Sequence, residues 1–265
     1  MRGALDPCTM ARMTDTHAHV HDPAFDTDRD EMLRRAREAG IGRIVTVGCS
    51  VDDSRRAIAC ARDYGLRATV GIHPHEAASA PDDLTAVLSD LAADETVVAI
   101  GETGLDYHYD FSPRDVQQRV LRAQIRFARN RDLPLVFHHR EAFDDFVTIL
   151  REEFSPPLRG VVHCFTGDRR QARTLTQEFG LLLGIGGVLT FKNAQPLRDA
   201  VRDVGLQSLV LETDCPYLAP VPLRGQRNEP AFVVHTARAL ADLIGMPLDD
   251  VVAVTDANAR TLFGL

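Results

Sequence analysis

Eight short runs rich in Val, Ile and Leu recur along the chain, and amphipathic helical stretches separate them. The runs cover 13–16, 43–47, 67–70, 97–100, 135–137, 160–162, 181–183 and 208–211. Their near-continuous apolar content suits strands covered on both faces. Strands alternating with helices are the signature of βα units around a parallel sheet. Eight such units predict an α/β chain of the (β/α)8, or TIM barrel, class. The length of 265 residues agrees with that fold, which takes about 250.

The intervening helices can be read from their apolar stripes. Phe143, Phe146, Val147 and Leu150 fall at i, i+3, i+4 and i+7, one face of a helix laid on a sheet. Ser112 and Pro113 are expected to open another helix, as N-cap and first-turn proline, with Val116, Val120 and Phe127 on its inner face. Val233, Ala237, Leu240, Ala241 and Ile244 form a further stripe. There is no internal repeat or linker, so residues 13–265 are expected to form one domain. Residues 1–12 lack apolar periodicity and read as a tail outside the fold, with Met10 or Met13 as alternative starts; they are not expected to be a secretory signal.

Several function classes are disfavoured. The first βα turn has no GxGxxG, which argues against dinucleotide binding. No GxSxG appears, so a serine nucleophile on an elbow is unsupported. The net charge of −8 does not suit a protein that coats nucleic acid through a broad basic surface, although an enzyme gripping a strand end locally is compatible with it. The five cysteines form no CxxC pair, so neither a disulfide framework nor a cysteine zinc site is indicated, and a reducing cytoplasm is the expected setting. No apolar run approaches the roughly 20 residues that span a bilayer. No membrane association and no obligate protein partner are expected.

The chemistry gathers at strand ends. Of ten histidines, those at 17, 19, 21, 73, 75, 138, 139 and 163 lie at or just past the ends of strands one, three, five and six. In a barrel those ends share one rim, where active sites are built. His17 and His19 are two apart, so they point to one side of a strand and can converge on a metal. Glu102 follows strand four and has two oxygens with which to bridge two metals. The alternative bridge, a modified lysine on strand four, is excluded because Lys192 is the only lysine. His138 and His163 offer imidazoles from strands five and six. Asp214, at the end of strand eight, is placed beside strand one, while Glu212 is expected to pair with a rim arginine. Cys164 reads as a packed thiol. Two divalent metals held this way activate water and clamp a phosphoryl or acyl group. Imidazole suits Zn, whereas carboxylate and water suit Mg or Mn, so the sequence leaves the metal open among the three.

The stretches DTHAH, GIHPH, GETGLDY, FHHREA, HCFTG, ETDCPYLAP, RGQRNEP and NARTLF resemble the TatD family of metal-dependent deoxyribonucleases, in family order from about residue 15 to residue 263. The resemblance implies an amidohydrolase-type barrel with two metals. His17, His19, Glu102 and Asp214 would hold one; Glu102, His138 and His163 would hold the other. It implies phosphodiester hydrolysis, often by trimming single strands from a 3′ end. The chain departs from the family pattern in three places. Cys215 replaces the usual serine. His139 stands where a hydroxyl residue is common, which leaves the ligand choice between it and His138 open. His21 adds an imidazole near the first metal.

Asp214 and Glu102 are the expected catalytic carboxylates, Asp214 also as proton acceptor, with His75 the alternative acceptor. His73 and His75 are expected to back the ligands or face substrate. Tyr107, Phe165, Phe191 and Tyr217 lie in rim loops and are candidates to stack on bases of single-stranded DNA or another nucleic acid. Arg140, Lys192, Arg224 and Arg227 are the candidates for phosphate. The same site would also serve another ester, such as an aminoacyl-tRNA or a small phosphate ester. A non-catalytic metal-binding partner protein is a second alternative, disfavoured by the open rim, since structural metal sites are usually closed.

Overall fold

A computed structural model describes residues 13–153 and 159–265. The expected tail, 1–12, lies outside the described residues. All eight expected strands are present: β1 (Met13–Ala18), β2 (Ile41–Val47), β3 (Arg67–Val70), β4 (Val97–Asp106), β5 (Leu135–Arg140), β6 (Gly160–Val162), β7 (Leu182–Ile185) and β8 (Leu209–Leu211). They pair in sequence order as one parallel sheet. The sheet closes where Ala18 bridges Cys215. There the backbone N–H of Asp214 donates to the His17 carbonyl at 2.8 Å, and that of His19 to the Cys215 carbonyl at 2.8 Å. Buried Asp15 reinforces the seam, accepting from the Thr213 hydroxyl at 2.6 Å and its backbone N–H at 2.9 Å.

Strand parity decides what enters the barrel. Val45, Val47, Ala99, Val136, Val161 and Val210 form a cluster with Ala259, Leu262 and Phe263. These are the inward positions, and the end of the last helix (Leu248–Phe263) packs against them. Their neighbours along the strands, such as Ile44, Leu135, Phe137 and Leu209, join the larger layer between sheet and helices. Side chains alternate along a strand, so two residues beyond Val136 stands His138, beyond Val161 His163, and beyond Val210 Glu212. The barrel mouth is therefore lined by the residues that continue the inward row.

Helices α1 (Arg29–Glu38), α2 (Val51–Tyr64) and α3 (Leu84–Leu91) precede α4 (Arg114–Asn130), which follows β4, and α5 (Phe143–Glu153) follows β5. The stripe of Phe143, Phe146, Val147 and Leu150 is buried as expected. The start of α4 differs from expectation. Pro113 itself is the N-cap, and the Ser112 hydroxyl instead donates to the His75 carbonyl at 2.8 Å and accepts from the Ala78 N–H at 2.9 Å. Ser112 thus ties the β4 loop to the segment carrying His75. Among the described residues no single helix is long and apolar enough to cross a membrane.

β4 and β1 both run further than their composition suggests. β4 continues through Gly101 and Gly104 to Asp106, where the glycines read as a strand end. Between Ile100 and Thr103 it takes three steps while β5 takes two, from Leu135 to Phe137, a bulge that carries Glu102. Gly104 is needed for contact: a Cβ there would stand 1.8 Å from the His138 carbonyl oxygen. β1 has the same irregularity between Asp15 and Ala18, beside His17. Bulges of this kind re-aim side chains next to active sites.

Candidate metal centre

Glu102 is 3 % exposed, and imidazole nitrogens surround it. Its Oε1 lies 2.7 Å from His163 Nε2, 2.9 Å from His138 Nδ1 and 3.4 Å from His73 Nε2. Its Oε2 lies 3.4 Å from His17 Nε2. Asp214 Oδ1 stands on the other side, 3.7 Å from His17 Nε2 and 3.5 Å from His19 Nε2. The sequence-predicted set of His17, His19, Glu102, His138, His163 and Asp214 is thus gathered at one point. Asp214 adopts a left-handed backbone at φ 59°. Asp tolerates that region better than most residues, and here it turns the carboxylate inward just past the last strand.

The electrostatics of the cluster favour a cation. Burial would raise Glu102, but the charge of His163 and the hydrogen bonds of His138 and His163 hold it well below the carboxylate range. Burial would lower His163, yet the Glu102 carboxylate beside it raises it to about 10. Burial, helped by His163, lowers His17 to about 4. His17 and His163 stack at 3.8 Å between ring centroids, and both nitrogens of His17 are buried without a hydrogen-bond partner. Two parallel imidazoles with orphaned nitrogens beside a carboxylate fit divalent metal ions, whose binding gives such nitrogens partners. Groups of donor atoms close enough for one ion include His17, His19 and Glu102, and also His73, Glu102 and His138.

Hydrogen bonds sort ligands from supports. His19 Nδ1 contacts the Val47 carbonyl at 2.9 Å. A carbonyl only accepts, so Nδ1 carries the proton and Nε2 faces the centre as a lone pair. His73 is the reverse. Its Nδ1 accepts the His75 N–H at 3.1 Å, and burial lowers the ring to about 4, keeping it neutral. The proton then sits on Nε2, which donates toward Glu102; His73 is a support rather than a ligand. His21 is engaged at both nitrogens, with Thr46 Oγ1 at 2.8 Å and Asp53 Oδ1 at 3.0 Å, so it offers no lone pair to a metal. His139 points away from the centre, packed against Phe143 and Phe146, as parity requires; His138 is the inward member of the pair.

Two acids differ from their sequence reading. Glu212 does not meet an arginine. It is fully buried on the inward row, and its Oε1 accepts from the Cys164 N–H at 2.5 Å. Burial pushes its carboxyl up to about 8. Gly184 leaves its space, since a Cβ there would stand 2.1 Å from Glu212 Oε2. Asp106, which the sequence reading passed over, organises one wall. Its Oδ2 lies 3.1 Å from His138 Nε2 and 3.0 Å from His75 Nε2. Its Oδ1 accepts the N–H groups of His108 at 3.0 Å and Tyr109 at 3.1 Å. The signal was available: a strand-end Asp four residues beyond Glu102, masked by glycines that read as a loop.

The centre forms the floor of a cleft of 590 Å³ open to solvent, bordered by Asp53, Arg56, His75, Tyr109, Arg140 and Tyr217. Of the expected substrate contacts, His73, His75, Arg140 and Tyr217 line this cleft. Four others do not. Phe165 is 3 % exposed and belongs to the core, because the loop after β6 folds its ring under. Tyr107 turns outward, its hydroxyl donating to Asp145 at 2.8 Å. Arg227 is engaged by Asp28 at 2.6 Å and 2.8 Å. Lys192 and Arg224 lie away from the cleft lining, with Arg224 over the Phe191 ring at 3.7 Å. Arg140 has no carboxylate partner among the described residues and rests over the Tyr109 ring at 4.8 Å.

Residues 14–264 match the family described as TatD related DNase. A metal-dependent hydrolase of Bacillus subtilis, YabD, is 41% identical over 250 residues, covering 94% of this chain and 98% of that one. A protein of Erwinia amylovora named 3′-5′ ssDNA/RNA exonuclease TatD is 38% identical over 260 residues, covering 96% of this chain and all of its own. The crystal structure of the Escherichia coli TatD homologue YJJV superposes with a TM-score of 0.90 at 33% identity, covering 96% of this chain and 99% of that one.

Proposed function

The chain belongs to the family of TatD-related DNases, metal-dependent hydrolases, and from that premise we propose that it is a two-metal phosphodiesterase that shortens single-stranded DNA from the 3′ end. The observation that carries the reading is Glu102, one carboxylate with imidazole nitrogens within 2.7–3.4 Å of its two oxygens, at the floor of an open cleft. In this reading His17, His19 and Asp214 would hold one cation and His138 and His163 the other, with Glu102 shared between them. Two divalent cations so held, whether Mg, Mn or Zn, would polarise the phosphoryl group and acidify the attacking water.

The remaining work belongs to the protein. Asp214 keeps 15% of its side chain exposed, so it meets water entering from the cleft and is placed to accept its proton. Arg140, a cation without a carboxylate partner among the described residues, is the group for a substrate phosphate. The acid-rich wall, with Asp53 and Asp106 both ionised, repels a strand except along the path to that arginine. His73 steadies Glu102 through its Nε2 proton, and Asp106 steadies His138.

That last role gives a prediction. Asp106→Asn should weaken binding of the cation held by His138 and His163 about ten- to a hundredfold, the scale on which outer partners tune a ligand. Metal titration of the stripped protein measures it. Most of kcat should return at saturating metal; unchanged affinity would remove Asp106 from the support of His138.

The experiment for the function itself uses 5′-labelled DNA, as single strand and as blunt duplex, with Mg, Mn or Zn and with chelator. A rigid duplex cannot bend a phosphodiester down to the floor of the cleft, whereas a single strand can. We expect the label to remain on progressively shorter products, with the single strand cut at least tenfold faster. Equal rates on both substrates, release of the labelled nucleotide first, or no chelator-sensitive cleavage would each overturn the proposal.

A further inference from the structure

The exposed large hydrophobic side chains among the described residues are Tyr109, Phe111, Tyr217, Leu218, Val221 and Met246. All but Met246 lie in the connections after β4 and β8, at the barrel mouth. Phe111 is 66% exposed, an unfavourable placement for a side chain with no polar atom. It is not loose. Its ring lies parallel to Tyr109, at 9° and 5.4 Å between centroids. The edge-on ring of His75 meets both, at 4.8 Å from Phe111 and 5.5 Å from Tyr109. His75 is fixed to Asp106, and Asp106 holds the backbone at Tyr109. Arg140 rests over the Tyr109 ring.

Resting on the nuclease reading above, we propose that Phe111, backed by Tyr109, is a stacking platform for one unpaired nucleobase of the substrate strand. The occupant follows from what surrounds the rings. An aromatic surface next to a guanidinium that faces a phosphodiester site matches the two chemistries of a nucleotide, a flat base and a phosphate one bond system away. Base–aromatic stacking accepts any base, so the platform adds affinity without sequence preference. The hydrogen bonds of Asp106 to the loop preorganise it, which lowers the ordering cost of binding. A duplex keeps its bases stacked on each other and gains nothing here, so the same feature sharpens the choice of single strands.

The test combines Phe111→Ala with oligonucleotides carrying one abasic site at successive positions from the 3′ end. The side chain is exposed, so the variant should melt with the wild type. On intact DNA it should raise KM at least about fivefold, the low end of the stacking scale, with kcat near normal and Phe111→Tyr close to wild type. One abasic position should raise the wild-type KM by a similar factor and leave the variant unaffected. An abasic dinucleotide, two deoxyriboses joined by one phosphodiester and carrying no flat ring, serves as the small diester and should be hydrolysed equally by both proteins. An unchanged KM for Phe111→Ala, or losses that simply add at every abasic position, would overturn the platform while leaving the nuclease reading intact. A wild type inactive on both DNA and the small diester would overturn the nuclease reading, and the platform with it.

Discussion

Glu102→Gln should retain neither cation and should hydrolyse DNA no faster than the metal-stripped wild type. The substitution preserves shape, and the site contains enough donors to accept an amide, so the fold should persist. What changes is charge. Glu102 is the carboxylate closest to His163 and His138, at 2.7 Å and 2.9 Å, and it also faces His17 at 3.4 Å. A neutral amide leaves a buried cluster of imidazoles with no central anion, and a divalent ion placed there meets fewer negative charges on both sides at once. Loss should therefore be coupled: the two occupancies fall together in elemental analysis. A variant that keeps one site filled at full strength would show that Glu102 is not shared between two ions.

Asp214→Asn should separate binding from catalysis. Asparagine still offers a carbonyl oxygen to the His17 and His19 side of the centre, so metal in excess should restore much of the occupancy. It cannot take a proton. If Asp214 accepts the proton of the attacking water, kcat at saturating metal should fall about a hundredfold or more, the usual scale for loss of a general base. His75 is the competing acceptor, but its Nε2 already faces Asp106 at 3.0 Å, whereas Asp214 has a free edge on the cleft. A variant with restored metal and near-normal kcat would confine Asp214 to ligation and direct attention to His75.

Much of this centre was legible from the sequence, because barrel rims collect chemistry at strand ends and the histidines mark those ends. Eight strands, the six proposed ligands and their common rim follow from apolar runs and the residues after them. Parity, applied one step further, would also have chosen His138 over His139 and placed Glu212 inside, since each stands two residues past an inward valine. The side-chain partners were harder. Asp106 was hidden because Gly101 and Gly104 look like the end of β4, whereas they permit the close approach of β5 that the bulged strand requires. Phe165 and Tyr107 read as rim aromatics because sequence order does not say on which side of a loop a ring folds. Arg227 reads as a free cation until Asp28, distant in sequence, is found against it. Tyr109 and Phe111 had no pattern to mark them, being neither periodic nor next to a strand end, and only their exposure beside the cleft gives them meaning. Membership in a family of metal-dependent hydrolases decides against the non-catalytic alternative.

The central claim is that one carboxylate joins two metals at the mouth of this barrel, and diffraction tests it directly. Crystals loaded with Mn should give two anomalous peaks about 3.5–4 Å apart, the spacing of two-metal sites. One should lie among His17, His19 and Asp214, the other beside His138 and His163, with Glu102 between them. A single peak, or two peaks that do not share Glu102, would contradict the account.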